Sequence, residues 1–225
     1  MNVEENLARR AIYAADTTII STLLSFLLVY YFPDQMKNIA EIKTERLLLR
    51  QWQEEDKPAF ARLNADPMVM EFYPDVLSEE ESNAMADRIM GLIAKRGWGL
   101  WAVELLNEDN FIGFVGLHEP THDLPCSPCV EIGWRLVKEY WGYGYATEAA
   151  KAALEFAFNA IMLSEVYSFT STTNIKSEAV MKRINMKNIH NNFEHPIFPI
   201  GNPLREHVLY RIDKKLHEAS SPNIA

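Results

Sequence analysis

The sequence predicts a single domain of mixed α/β (α+β) class, and three observations carry that expectation. Stretches with a strand period and stretches with a helix period are interleaved along the chain rather than gathered into separate halves. Three strand-like runs succeed one another through short connections before one long helical pattern, which is the signature of an antiparallel meander. With 225 residues, 48% apolar and 24% charged, the chain can bury one sizeable core and an appendage but is short for two full domains.

The elements follow in order. T-E-R-L-L-L-R-Q-W at residues 44–52 is short, apolar and flanked by charge, and predicts a first strand. Asp56 is expected to cap a helix with Pro58 in its first turn and Phe60 and Leu63 on one face, ending near Asn64 where N-A-D-P breaks the pattern. Ser78 opens a second helix with Glu81 at the capping-box position, and Met85, Ile89, Leu92 and Ile93 follow at helical spacing until Gly97. Strands are predicted at 98–105, 111–117 and 130–137, with N-E-D-N as the tight turn between the first two. In the third, Val130, Ile132, Trp134 and Leu136 alternate with Glu131, Gly133 and Arg135, so one face is core and the other carries groups capable of chemistry. From Ala146 the positions Ala149, Ala150, Ala153, Leu154, Ala157, Phe158 and Ile161 form a continuous helical stripe. A strand at 165–171, a helix at 174–185 and a strand at 206–213 complete the pattern, and the tail from 218 is expected to fray.

Charge and composition exclude some function classes. A formal net charge of −9 disfavours a nucleic-acid binder, which draws its affinity from clustered Lys and Arg, and suits a cationic or amine-bearing partner. Two cysteines cannot form a disulfide framework, so a reducing, cytoplasmic location is the expectation. Residues 17–32 are uncharged and apolar, short of the roughly 20 residues that span a bilayer, and Glu4 and Glu5 dilute the basic flank of a signal peptide. This segment is read as a packed or interfacial helix, with membrane contact as the other reading and Met36 as an alternative start. The domain organisation expected is an extension at 1–38, one folded domain at 39–216 and a tail at 217–225.

The most informative stretch is Y-W-G-Y-G-Y-A-T-E-A at 140–149, between the third meander strand and the long helix. Gly142 and Gly144 can take positive φ, so successive N–H groups can converge just where a helix begins. Unpaired donors and the positive dipole end at Tyr145, Ala146 and Thr147 would then hold a phosphate without any Lys. A bare G-x-G is also a common strand-to-helix turn. Here, however, the loop is followed by a strand and by a helix that starts T-N-I-K-S.

In that context the chain resembles the GNAT superfamily of N-acetyltransferases, in particular its branch of ribosomal-protein alanine and serine N-acetyltransferases. The resemblance covers residues 42–214 and is carried by T-E-R-L-L-L-R at 44–50, F-I-G-F-V-G at 111–116, E-I-G-W at 131–134, W-G-Y-G-Y-A-T-E-A at 141–149 and N-I-K-S-E-A-V-M at 174–181. It implies a central mixed, mostly antiparallel sheet of six to seven strands, splayed in the middle and flanked by about four helices. It also implies acetyl-CoA as the acetyl donor, with its pyrophosphate on the glycine loop and its pantetheine arm paired like an extra strand in the splay. Trp141, Gly142, Tyr143, Gly144, Tyr145, Ala146, Thr147 and Asn174 are the cofactor-binding residues so implied. The loop's usual first position, Arg or Gln in the family, is Glu139 here.

For catalysis the resemblance implies direct attack by an amine on the thioester. Glu131, on the non-core face of the splayed strand, is the candidate proton acceptor, although a single Glu also fits a surface or cap role. The family's general-acid Tyr is replaced by Met181, which makes Ser177, or a water it holds, the candidate proton donor. Asn174 doubles as a helix N-cap, and Asn185 stands where relatives carry a C-terminal Gly.

Four potential zinc ligands, His118, His122, Cys126 and Cys129, fall within twelve residues, but the prolines of this segment read as a loop with exposed thiols and no metal is expected. Trp98, Trp101, Trp134 and Trp141 are read as core except for Trp141 beside the loop. The rigid apolar segment 193–203 is read as a loop, with shaping of the acceptor site as its other reading. The expected function is transfer of acetyl from acetyl-CoA to the N-terminal amine of a protein or peptide, by a monomer or homodimer. The alternatives are a small amine acceptor of aminoglycoside or polyamine type, and a coenzyme A binding module without turnover.

Overall fold

The computed structural model describes residues 38–220 except 109. The apolar stretch 17–32 lies outside the described residues, and the chain divides into two units, Met1–Asn38 and Ile39–Ala225. Among the described residues no helix is long and apolar enough to cross a membrane.

Nine strands form one sheet: β1 (Ile42–Lys43), β2 (Leu47–Arg50), β3 (Leu100–Leu105), β4 (Asn110–His118), β5 (Glu131–Leu136), β6 (Glu165–Ser171), β7 (Lys187–Asn188), β8 (Phe193–Glu194) and β9 (Glu206–Asp213). Their order is β1-β2-β3-β4-β5-β6-β9-β7, with β8 also paired to β9, and every pairing is antiparallel except β5 with β6. Among the described residues five helices accompany it: α1 (Lys57–Ala65), α2 (Glu79–Arg96), α3 (Tyr145–Asn159), α4 (Ile175–Arg183) and α5 (Lys214–Ser220). The sheet exceeds the expected six to seven strands because β1, β7 and β8 are two-residue pairings whose only signal is their partner across the sheet. The fifth helix, α5, carries residues 218–220, so the expected frayed tail starts later than its composition suggests.

Two apolar layers sandwich the sheet. On one face Leu47, Leu49, Trp101, Val103, Val115 and Ile132 pack under α3. Ala149, Ala150, Ala153 and Ala157 have no exposed surface, and their small side chains let α3 lie close to the strands, while burying Leu154 and Phe158 contributes about 1.5–3 kcal/mol each. On the other face Trp52, Phe60, Ile89, Ile93 and Phe114 pack under α1 and α2. Ile161, expected as the last position of the α3 stripe, falls beyond the helix end yet still packs on the core.

Several boundaries follow the predicted chemistry. Ser78 accepts from the Glu81 N–H and Glu81 reaches back to Ser78, closing the capping box of α2. Asn185 stands at φ 64°, the left-handed residue after α4. The first strand is shorter than 44–52 because Thr44 turns the chain, its N–H donating to the Leu47 carbonyl at 2.9 Å. Asp56 does precede α1 but makes no cap to it; its carboxylate instead accepts the Gln53 N–H at 2.8 Å, one turn earlier, and receives the Arg50 guanidinium at 2.7 and 2.9 Å. Arg50 is buried and also donates to Glu104 at 2.6 Å, and these two carboxylates raise its pKa against the opposing effect of burial.

Candidate active site

The site is built around a gap in the sheet. Strands β4 and β5 pair over six residues, whereas β5 and β6 share one register pair, Glu131 with Tyr167. The Tyr167 N–H donates to the Val130 carbonyl at 2.9 Å, and one step on the Ser168 hydroxyl donates to the Ile132 carbonyl at 2.9 Å. Beyond that point the strands diverge, which leaves the Gly133 and Trp134 backbone facing the gap. A parallel sheet interrupted in this way exposes an edge that an extended ligand can pair with.

At one end of the gap lies the glycine loop. A 3-10 turn (Lys138–Tyr140) leads to Trp141, which is extended and pinned by its indole N–H donating to the Leu136 carbonyl at 2.8 Å. Gly142 and Gly144 then take φ of 84° and 85°, and Gly144 is the N-cap of α3 with no side-chain cap. A Cβ at Gly142 would meet no atom within 4 Å, so backbone conformation, not lack of space, is what requires glycine there. The first-turn N–H groups of α3 have no partner within the helix and point outward at its positive end.

An ionic brace missed by sequence reading holds this loop. The Glu148 carboxylate accepts the Thr44 hydroxyl at 2.6 Å, the Arg46 N–H at 3.0 Å and the Arg46 Nε at 2.7 Å. Burial opposes its ionisation, but these hydrogen bonds prevail and lower its pKa. Arg46 in turn donates to the Tyr143 carbonyl at 3.1 Å and lies over the Tyr145 ring at 4.6 Å. The partners are about a hundred residues apart, so no local pattern could reveal them.

Two cavities open on the gap. The larger, about 690 Å³, is lined by Trp141, Gly142, Gly144, Tyr145, Ala146, Thr147 and Asn174, all expected cofactor contacts. Tyr143 is 62% exposed and outside that lining; it contributes its carbonyl to the Arg46 brace. Glu139 lines a third, neighbouring cavity and is not among the residues lining this one. Lys176 and Arg183, on α4, add positive charge, and the Lys176 ammonium sits 4.5 Å from the centre of the Trp141 ring. Bare amide donors, a helix dipole, two cations and an open strand edge fit a diphosphate joined to an extended amide-bearing arm.

The smaller cavity, about 310 Å³, contains Glu131, Met181 and part of the 193–203 segment. That segment is therefore more than a connector, since His195, Ile197 and Phe198 form one wall. Glu131 is half-buried, and loss of hydration raises its pKa to about 8. The two cavities meet at Phe72, Tyr73, Trp134, Asn174 and Ser177. Asn174 caps α4 by accepting the Ser177 N–H at 3.1 Å and steadies itself by donating to Thr170 at 3.0 Å. Tyr73 is a further residue the sequence did not flag, its ring 3.9 Å from the buried Arg135 guanidinium.

The other candidates separate from this site. Trp101 is fully buried and Trp98 packs on the core, whereas Trp134 joins Trp141 in lining the cavities. Cys126 and Cys129 are free thiols whose sulfurs lie 2.7 Å apart, with burial raising the pKa of each. Among the described residues no three His, Cys, Asp or Glu side chains are arranged to hold a metal ion.

A splayed mixed sheet with a glycine loop at the start of a helix beside the gap defines an acyl-CoA-dependent transferase, and comparison with known proteins agrees. Residues 46–187 match the acetyltransferase (GNAT) domain family, and the chain belongs to that family. It is 31% identical over 172 residues to the uncharacterized N-acetyltransferase YnaD of Bacillus subtilis, covering 76% of this chain and 95% of that protein. A GNAT-family acetyltransferase structure from Bacillus anthracis superposes with a TM-score of 0.66 at 28% identity, covering 78% of this chain and 99% of that one. The fold is shared with RimL, a ribosomal α-N-protein acetyltransferase solved with coenzyme A, at a TM-score of 0.62 and 16% identity over 77% and 98% of the two chains. The protein is thus an N-acetyltransferase of GNAT type, and its family uses acetyl-CoA.

Proposed function

We propose that this enzyme acetylates the N-terminal α-amine of a peptide or protein, with the acetyl donor along the gap between β5 and β6 and the amine entering from the smaller cavity. The observation that carries the reading is the meeting of the two cavities at Trp134, Asn174 and Ser177, with Glu131 on the acceptor side. Gly142, Gly144 and the α3 N-terminus at Tyr145, Ala146 and Thr147 hold the diphosphate, while Trp141 and Asn174 flank the arm.

The amine nitrogen forms the new bond to the thioester carbonyl carbon and the carbon–sulfur bond breaks. Glu131 takes the proton lost by the amine, and the departing sulfur gains one from the Ser177 hydroxyl or a water on it. A carboxyl raised to about 8 matches an α-amine, whose ordinary pKa is roughly 7.7–8.0, far better than a lysine side chain near about 10.4. That match supports an N-terminal acceptor, as does the family likeness to RimL, named for α-N-protein acetylation. The free thiols are in keeping with a reducing, cytoplasmic setting.

The test is a panel of short peptides with free α-amines, Nα-blocked peptides with free lysines, and polyamines, read by thiol release and by the mass of the product. Acetylation confined to the free α-amines is expected. Turnover of polyamines or lysines with none at the α-amine would refute the acceptor assignment.

A further inference from the structure

Resting on that reading, the acceptor cavity contains a second polar device that the chemistry of transfer does not use. Four of the chain's six histidines, His118, His122, His195 and His207, line this one cavity. His195 and His207 are 8% and 6% exposed, their rings 4.9 Å apart between centroids and tilted by 34°. Phe169, Phe193 and Phe198 surround them at ring distances of 5.6 to 6.3 Å.

Backbone partners fix the tautomer of each ring. The Ile197 N–H donates to His195 Nδ1 at 3.2 Å, so that nitrogen carries a lone pair and the neutral ring holds its proton on Nε2. His207 Nδ1 lies 3.0 Å from the Arg205 carbonyl, which can only accept, so His207 carries its proton on Nδ1 and its lone pair on Nε2. The same Arg205 carbonyl accepts the His195 backbone N–H at 2.8 Å, tying the two residues to one point. Burial lowers both pKa values, His195 to about 4, so both rings are neutral at neutral pH and the opposite tautomers persist.

Neither Nε2 has a partner among the described residues. One therefore offers the cavity a donor and the other an acceptor. Among the described residues the cavity lining has no Lys or Arg, and Glu131 is its only acid. A free amino acid would leave its carboxylate unpaired here, and a polyamine would leave its further cations facing neutral rings. An extended peptide satisfies the pair, since its second residue presents one N–H and one C=O toward the same side, close to the reacting amine.

We propose that His195 and His207 are specificity-determining residues that recognise the backbone of the acceptor's second residue, His207 Nε2 accepting its N–H, the first amide of the peptide, and His195 Nε2–H donating to its C=O. Such a pair reads the acceptor as a peptide without reading its side chains.

A cycle between enzyme and substrate tests this. Wild type, His207→Phe and His207→Gln are each assayed by kcat/KM on an Ala-Ala peptide amide and on the same peptide methylated at the first amide nitrogen. In wild type, methylation is expected to lower kcat/KM about tenfold, the worth of one well-made hydrogen bond. In His207→Phe that penalty should vanish, and in His207→Gln, whose amide oxygen can accept, part of it should return. Because the penalty is a ratio within each variant, a fraction of misfolded enzyme cancels. An equal penalty in wild type and His207→Phe overturns the proposal and leaves the N-terminal acceptor reading standing. A wild type that turns over neither peptide, but does acetylate simple alkylamines, overturns both.

Discussion

Replacing Glu131 with Gln separates its two consequences, one for activity and one for stability, that act in opposite directions. The carboxyl is raised from 4.5 to about 8 by burial, so the folded protein holds this proton more tightly than the unfolded chain does. The sign follows from linkage. Below about pH 4.5 both states are protonated and nothing is lost, while between about 4.5 and about 8 stability declines as pH rises, and above that the full penalty applies. At 1.36 kcal/mol per unit, a shift of about 3.5 units (8 − 4.5) sets a ceiling near 5 kcal/mol, and water reaching a half-buried group reduces this to about 2 kcal/mol. Gln is neutral throughout and keeps the shape. Glu131→Gln should therefore melt about 4–8 °C above wild type at pH 8.5 and nearly level with it at pH 4.5. Its kcat should fall by about 10²–10⁴, the usual contribution of a positioned base. Scanning calorimetry at the two pH values and thiol release at pH 8 measure both effects. A melting difference that is the same at both pH values, or a variant less stable at pH 8.5, would refute the desolvated carboxyl, and retention of kcat would refute its role as base.

Other predictions concern the donor side. Gly142→Ala forces a side chain into the left-handed region at a cost of about 1–2 kcal/mol with no clash, and should weaken acetyl-CoA about tenfold by calorimetry while lowering the melting temperature by about 2–8 °C. Arg46→Ala frees the Tyr143 carbonyl and Glu148, and should raise KM for acetyl-CoA severalfold while the acceptor KM stays put; because the Arg46 side chain is 42% exposed, the melting temperature should fall by no more than the loss of about 1 kcal/mol implies. Asn174→Ala removes the cap of α4 and should cost about 1 kcal/mol in chemical denaturation alongside a higher KM for acetyl-CoA.

What was legible in the sequence was what local physics determines. Strands β6 and β9 fall at the predicted residues because their alternation is unbroken, α2 because apolar spacing and its capping box agree, and α3 because its apolar stripe is continuous. The glycine loop was readable because few residues other than Gly tolerate φ near 85° at two nearby positions, and Asn185 for the same reason at φ 64°. What escaped depends on partners distant in the chain. The strands β1, β7 and β8 exist only through their pairing, and Asp56 looked like a cap until Arg50 claimed its carboxylate. The Glu148 brace joins helix α3 to residues 44 and 46, and the imidazole pair is assembled from two short segments across the β8–β9 turn. Glu131 was named from its position on the strand face, but its raised pKa is a property of the surrounding cavity and not of the strand.

The central claim is that bare amide hydrogens at the start of α3 hold the diphosphate of the acetyl donor. Titration calorimetry comparing acetyl-CoA with S-acetylpantetheine, which lacks the diphosphate, tests it directly in wild type and in Gly144→Ala. The account predicts acetyl-CoA binding at least about a hundredfold tighter in wild type, with that advantage shrinking about tenfold in the variant as the loop's donors are turned away. Equal affinity for the two donors in the wild-type protein would contradict it.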